Sequence, residues 1–229
     1  KLFKSTVNSR QSNRLVALVH WVTRRLNQIP MHQLSSLLGN TDIYLLDQIL
    51  KGRYTPPEII LDAGAGSGRN LHWFARQGFE VYGTDRNPEA VEVLKQNYPV
   101  LPEDRFRVAP VEAMPFEDGF FHHIVCCAVL HFAENEVHFG QMFGELVRVL
   151  KPGGSMFFRV ATDVGLAHKM VPLGDGRFSM PDGSDRFLLT RPALDDLLHK
   201  HRLNLLEPFK TVLVDDLRSM GVVVVGKWS

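Results

Sequence analysis

The chain has two cysteines in 229 residues, and they are adjacent: Cys126 and Cys127. Neighbouring cysteines close only into a strained bridge, so a structural disulfide is not expected. There is no CxxC spacing to signal zinc. The ten histidines are scattered, and His122 and His123 point to opposite faces of an expected strand, so no metal site is predicted. A chain that uses cysteine this way suits a reducing, intracellular setting, and the cytoplasm is the expected location. No apolar run approaches the ~18 residues a membrane-spanning helix needs. Residues 15–22 come closest, but they contain His20 and no small-residue cleavage site follows, so neither a span nor a secretory signal is predicted. Acid is missing from the first 41 residues, which hold six Lys or Arg. That composition also suits an organelle transit peptide, but a basic amphipathic helix packed on the body is the preferred reading.

What is present is ordinary for a globular protein: 45% apolar and 22% charged residues. The net charge of +1 hides a division. Residues 1–55 carry eight Lys or Arg against Asp42 and Asp47, whereas the remainder carries 18 basic and 23 acidic groups. An acidic body therefore has a basic front end, residues 1–38 being read as a helical extension and 39–229 as the main domain.

Leu15, Leu18, Val19, Val22 and Leu26 recur at helical spacing and predict a helix over 13–28. A second helix is expected over 42–51. Beyond Pro56-Pro57 the pattern alternates. Strands are expected near 59–61, 80–85, 106–108, 121–129 and 156–161, with helices over 68–77, 88–98 and 135–150. Pro88 sits in a first turn, where proline is tolerated. The near-continuous apolar run from Ile124 to Val129 reads as a strand buried on both faces. Residues 163–189, rich in Gly and Pro, read as a long irregular insertion of the kind that carries function. A helix over 191–201 and two antiparallel strands, 205–214 and 220–227, complete the chain. This order predicts an α/β fold, a doubly wound, mostly parallel seven-stranded sheet with an antiparallel C-terminal strand and an N-terminal helical extension.

The chemistry-bearing segment runs from Ile60 to Asn70 between a strand and a helix. Gly64, Gly66 and Gly68 allow a sharp turn and a close backbone approach to a ligand. The following helix start offers free N–H donors. Asp85 ends the next strand, where a carboxylate can accept both hydroxyls of a ribose. A nicotinamide dehydrogenase uses GxGxxG, but here the spacing is GxGxG and Arg69 stands at the third dehydrogenase glycine, which argues against that class.

Asp62-x-Gly64-x-Gly66-x-Gly68, with Asp85 ending the next strand, resembles the first two motifs of class I S-adenosylmethionine-dependent methyltransferases. Residues 112–116, 121–131 and 150–154 resemble later motifs in the same order. Residues 39–44 and 68–70 are most similar to the tellurite-resistance-type, small-molecule branch. The resemblance covers about residues 39–229 and implies S-adenosylmethionine as cofactor and S-adenosylhomocysteine as product. It also implies roles. Gly64 and Gly66 would lie against the methionine part, with Asp62 reaching its amino group and Cys126 offering it a backbone carbonyl. Asp85 would hold the ribose and Arg86 would border the adenine, with Val111 and Glu112 at its edge. Arg69 and Asn70 complete the cofactor set. Leu130 and His131 would line the methyl-transfer mouth, His131 being the candidate base. Two departures stand out. Pro110 replaces an Asp common in relatives, which makes Glu112 the candidate acceptor for the adenine amine. His122 replaces another Asp and reads as structural.

Tyr44, Arg159, Arg177 and Arg186 are the candidate substrate residues, with Arg177 and Arg186 suited to an oxyanion. Cys126 and Cys127 read as buried strand residues rather than nucleophiles. The function expected is methyl transfer to a small molecule. The alternatives are an RNA-directed enzyme docking through the basic front end, or a non-catalytic cofactor-binding partner protein. Oligomeric state is not legible.

Overall fold

The computed structural model describes residues 31–229, so the helix expected over 13–28 lies outside the described residues. Residues up to Gly39 and Asn40–Ser229 form two separate compact units. In the first, α1 (Met31–Leu38) is a helix the periodicity did not predict. It ends at Gly39, whose left-handed backbone (φ 56°) lets its N–H donate back to the Ser35 carbonyl.

The second unit begins with α2 (Ile43–Leu50), capped by Asp42, whose Oδ1 accepts the Tyr44 N–H at 3.0 Å. There follow β1 (Ile59–Ala63), α3 (His72–Arg76), β2 (Glu80–Asp85), α4 (Pro88–Asn97), β3 (Phe106–Val108), β4 (Phe121–Cys127), α5 (Glu136–Val149) and β5 (Leu150–Ala161). Then come three short strands, β6 (Val171–Gly174), β7 (Arg177–Ser179) and β8 (Asp185–Phe187), and α6 (Arg191–Lys200). The chain closes with β9 (Leu203–Leu205), β10 (Lys210–Val214) and β11 (Arg218–Lys227).

The main sheet runs β10-β11-β5-β4-β1-β2-β3, with the short β9 also paired to β11. The pairs from β5 to β3 are parallel, and β11 lies antiparallel to both its neighbours on the path. Strand order reverses between β1 and β4, which opens the crevice where such sheets bind ligands. Side chains alternate across the sheet. Ile124 and Cys126 enter one core with Phe143 and Leu146 of α5, whereas Val125 and Cys127 enter the other with Leu45 of α2 and Phe74 of α3. Both faces are thus apolar, which is why β4 reads as an unbroken run.

Three expectations need correction. The helix expected over 68–77 covers only His72–Arg76. Gly64, Gly66 and Gly68 all have positive φ (75°, 54° and 83°), so the chain is still turning until Leu71. Residues 163–189 are not wholly irregular: β6, β7 and β8 form an antiparallel meander of their own. Residues 150–154 belong to β5, with an irregularity in its pairing to β4 between Phe121 and His123. Among the described residues no helix is long and apolar enough to cross a membrane.

Candidate functional site

Two cavities meet at the carboxyl ends of β1, β2 and β4. The first, about 310 Å³, is bounded by Gly64, Asp85 and Arg86 on one side and by Val111 and Glu112 on another. Cys127, Ala128 and Val129 form its wall after β4, with Phe132, His138 and Met142 beyond.

Its floor is built by the glycine turn. Gly64 and Ala65 both donate N–H to the Thr84 carbonyl at 2.8 Å, which ties the turn to β2. Gly66 donates its N–H to Asp85 Oδ2 at 2.9 Å, and Asn87 donates to Oδ1 at 2.9 Å. A carboxylate has about four acceptor sites, so Asp85 keeps capacity for two more donors. At Gly66 a Cβ would meet nothing within 4 Å, so the backbone there faces open space. At Gly64 a Cβ would collide with Val129, so the turn and the segment after β4 approach as closely as glycine allows.

Asp62, beneath this turn, is fully buried, and neither of its oxygens has a well-aligned hydrogen bond, only the Asn70 side chain close by. Burial pushes its pKa up to about 7, against the opposing pull of the Arg69 cation. A buried carboxylate without a well-aligned donor is costly, so this position invites a cationic or N–H group from outside the chain. The loop that carries Val111 and Glu112 is pinned to α5. Met114 N–H donates to Glu145 Oε1 at 2.7 Å, and Arg148 donates to the carbonyls of Met114 and Phe116 at 3.1 and 2.8 Å.

The second cavity, about 290 Å³, is lined by His131, Arg159, Arg186, Arg218, Asp182 and Ser184. Ala161, Met180, Val214 and Met220 form its apolar part. It shares Ala128 with the first cavity. Ala128 has a left-handed backbone (φ 62°), rare outside glycine, and donates its N–H to the Arg159 carbonyl at 2.9 Å. His131 lies on the single turn Leu130–Phe132, buried, with no partner for Nδ1. Burial, then the positive charges of Arg186 and Arg159, lower its pKa to about 4. Its imidazole is therefore neutral near pH 7.

The structure distributes the expected residues as follows. Gly64, Asp85, Arg86, Val111 and Glu112 line the first cavity, and His131, Arg159 and Arg186 the second. Asp62 and Gly66 shape the floor. Arg69 and Asn70 instead hold the start of α2: Arg69 donates to the Asn40 carbonyl at 3.2 Å, and Asn70 Oδ1 accepts the Asp42 N–H at 3.1 Å. The side chains of Cys126 and Leu130 are packed into the core, the role expected of Cys126 being one for its backbone carbonyl, and Cys127 lines the first cavity. Burial pushes the Cys127 thiol up to about 12 and Cys126 well above its usual range, so neither is a thiolate near neutral pH. Tyr44 lies under the Arg159 guanidinium, 5.0 Å from ring centre to cation. Arg177, on β7, lines neither cavity. His122 is a structural substitute: its Nδ1 accepts the Ile59 N–H at 3.1 Å.

The sequence marks Asp42 only by its charge and by its place in the 39–44 stretch, with no site role expected of it. It joins Arg159, Arg69 (3.7 Å) and Cys127 Sγ (3.4 Å), tying α2 to β5. Burial pushes its pKa up, but the Arg159 charge and hydrogen bond outweigh that and hold it low. Ala128, Phe132, His138, Met142, Asp182 and Arg218 were also missed. Of these only Asp42 carries a local signal, as a residue of helix-capping type at the start of the helix expected over 42–51.

Residues 61–158 match a family model described as a methyltransferase domain. An uncharacterized methyltransferase of Schizosaccharomyces pombe is 34% identical over 98 residues, which is 42% of this chain and 36% of that protein. The ubiquinone/menaquinone biosynthesis C-methyltransferase of Bordetella avium is 28% identical over 177 residues, 72% of this chain and 66% of that one. The match spans only 36–37% of the first curated relatives' length. Among solved structures, an S-adenosylmethionine-dependent methyltransferase of Methanosarcina mazei superposes with a TM-score of 0.65 at 22% identity, covering 79% of this chain and 97% of that one. The 1,6-didemethyltoxoflavin-N1-methyltransferase of Burkholderia thailandensis, solved with 1,6-didemethyltoxoflavin and S-adenosylhomocysteine, gives 0.60 at 19% identity over 99% of this chain and 94% of that one. Residues 61–158 are thus similar to a methyltransferase domain, and the sheet that holds them has the fold of S-adenosylmethionine-dependent methyltransferases.

Proposed function

We propose that this chain transfers the methyl group of S-adenosylmethionine to a small-molecule acceptor. The observation that carries the reading is a pair of cavities that share Ala128: the lining of one, with Asp85, Arg86 and apolar side chains, suits a nucleoside, and that of the other, with His131 and three arginines, suits an acceptor. The likeness of residues 39–44 and 68–70 to the tellurite-resistance-type branch supports a small acceptor, as does the modest volume of the second cavity. The nucleic-acid alternative rests on basic residues that lie outside the described part of the chain.

The residues suit the cofactor. Asp85 would accept the ribose hydroxyls with its two spare sites, and Asp62 would receive the amino group through the turn it supports. Arg86 would border the adenine. Val111, Phe132 and Met142 would supply apolar contact to the base, with Glu112 and His138 at its polar edge. The bound cofactor supplies a methyl on a sulfonium, an already activated leaving group. The chain's part is then alignment, because holding reactants in line removes much of the entropic barrier. Ala128 and Val129 form the wall where the two ligands meet. Neutral His131, with Nδ1 free, would take the proton an acceptor hydroxyl or amine gives up.

The test is calorimetry with S-adenosylhomocysteine followed by turnover of labelled S-adenosylmethionine with a metabolite panel. Wild type binds and turns over. Asp85→Ala loses about 100-fold in affinity, since charged hydrogen bonds contribute ~1.5–3 kcal/mol each. Absence of binding by wild type, or unchanged affinity in Asp85→Ala, rejects the reading.

A further inference from the structure

The second cavity has more donors than acceptors. Three guanidinium groups, those of Arg159, Arg186 and Arg218, line it against one carboxylate, Asp182. That carboxylate is already engaged, with Oδ1 accepting the Ser184 N–H at 3.0 Å and the Ser184 hydroxyl at 2.5 Å. The Arg218 side chain is exposed and makes no hydrogen bond and no ion pair within 4 Å among the described residues, although its charge acts on Asp182. Arg159 spends Nη1 on Asp42, but its Nε is buried without a partner. Arg186 gives Nη1 to the Asp185 carbonyl at 2.8 Å and lies 4.9 Å over the Phe132 ring, which leaves the rest of its fork unengaged. Beside these cations His131 presents an unpartnered Nδ1.

Only Arg159 Nε is a buried donor without an acceptor, which is expensive, whereas Arg186 is half-buried and Arg218 exposed at the mouth. Planar guanidinium forks match a planar carboxylate in two parallel hydrogen bonds. The surplus charge is small, because Asp182 and Asp42 each offset part of it, and that favours a monoanion over a phosphate dianion. Met180, Val214, Met220 and Ala161 complete the wall, so the rest of the ligand is apolar. A volume near 290 Å³ lies at the low end of small-molecule pockets.

We propose that the methyl acceptor is a small carboxylate with an apolar body, its carboxylate seated among Arg159, Arg186 and Arg218 and its accepting atom beside His131. The proposal rests on the methyl-transfer reading of this site and adds the substrate class. It also explains why the arginines gather from three separate parts of the chain: β5, the meander and the start of β11.

The experiment measures binding of three probes, 2-hydroxybenzoate, 2-hydroxybenzamide and inorganic phosphate, by calorimetry and by the NMR signal of the His131 ring, each with and without S-adenosylhomocysteine. The benzoate is expected to bind and to move the His131 signal. The uncharged amide, of the same shape, is expected to bind at least about tenfold more weakly. Arg186→Gln and Arg218→Gln should each weaken the benzoate about tenfold, leave the amide unchanged and keep the affinity for S-adenosylhomocysteine, which shows that they fold. Arg191→Gln, an exposed arginine paired with Asp195 on α6, should change neither probe. Equal binding of benzoate and amide, preference for phosphate, no binding of any probe, or indifference to both arginine variants overturns the proposal. Loss of S-adenosylhomocysteine binding by wild type would instead overturn the methyl-transfer reading, and the arms without it report on the anion site separately.

Discussion

His123 and His131 lie at opposite ends of one strand and live under opposite rules. His123, in the amino-terminal part of β4, is buried with both ring nitrogens engaged: Nδ1 on Ser155 Oγ at 2.7 Å and Nε2 on Glu58 Oε2 at 2.9 Å. Tyr54 packs edge-on against it at 5.0 Å. His131, just past the carboxyl end, is as buried but has no partner at Nδ1. The carboxylates repeat the contrast. Glu58 accepts from Thr55 N–H as well as facing His123, and Asp62, at the other end of β1, has no well-aligned hydrogen bond at either oxygen, only the Asn70 side chain close by. A serine, a histidine and a glutamate in line resemble a nucleophile relay, but Ser155 and His123 are buried, so that end holds the fold together. At the carboxyl end Asp62 and His131 keep polar atoms without well-aligned partners, whereas Glu58 and His123 at the amino end are paired.

The contrast can be broken most strongly through pH. In the folded chain Asp62 titrates near 7, against ~3.9 unfolded, so the folded state holds a proton that the unfolded state has released. Its contribution to stability therefore falls as pH rises from about 4 through 7. His131 titrates near 4 when folded, against ~6.5 unfolded, so the unfolded state holds the extra proton and stability rises with pH across about 4 to 6.5. The two slopes oppose each other over that window. Asp62→Asn should stabilise the chain by about 2–4 kcal/mol at pH 7.5 and leave a profile that rises more steeply with pH than the parent's. His131→Leu should give a profile that rises less. Urea melts of the parent and both variants at several pH values check this. Parallel profiles would mean that neither group is held as described.

The amino end offers a smaller effect. Ser155→Ala removes the partner of His123 Nδ1 and should cost about 1–3 kcal/mol in the same melts, with affinity for S-adenosylhomocysteine unchanged. A loss of cofactor affinity there would erase the distinction between the two ends. The smallest effect concerns Ala128, whose left-handed backbone costs ~1 kcal/mol. Ala128→Gly should stabilise the chain by up to about 1 kcal/mol, because glycine adopts that conformation without a Cβ clash. A destabilised Ala128→Gly would show that the alanine methyl supports the wall between the cavities.

Much of the fold was legible because its signals are local. Pro88 announced α4, and the structure shows it in the first turn, with Asn87 Oδ1 accepting the Glu89 N–H as a cap the sequence reading did not name. The alternation after Pro57 announced the doubly wound sheet. The meander over 171–187 was not legible, because its strands are short and half-exposed, with no alternation long enough to register. The site divided in the same way. Asp62, the glycines and Asp85 stand within one strand-turn-helix unit and the next strand, so spacing found them. Arg218 stands far along the chain from His131, and nothing in the order of residues links them.

The sequence by itself determined the sheet, the glycine turn and the carboxylate that ends β2, because each is specified by neighbours a few residues away. Tertiary structure alone decided that Arg69 and Asn70 brace α2, that Cys127 lines the first cavity, and that Arg159, Arg186 and Arg218 converge. Those outcomes depend on which face a residue takes and on what distant strand lies beside it, and pairing across the sheet sets both.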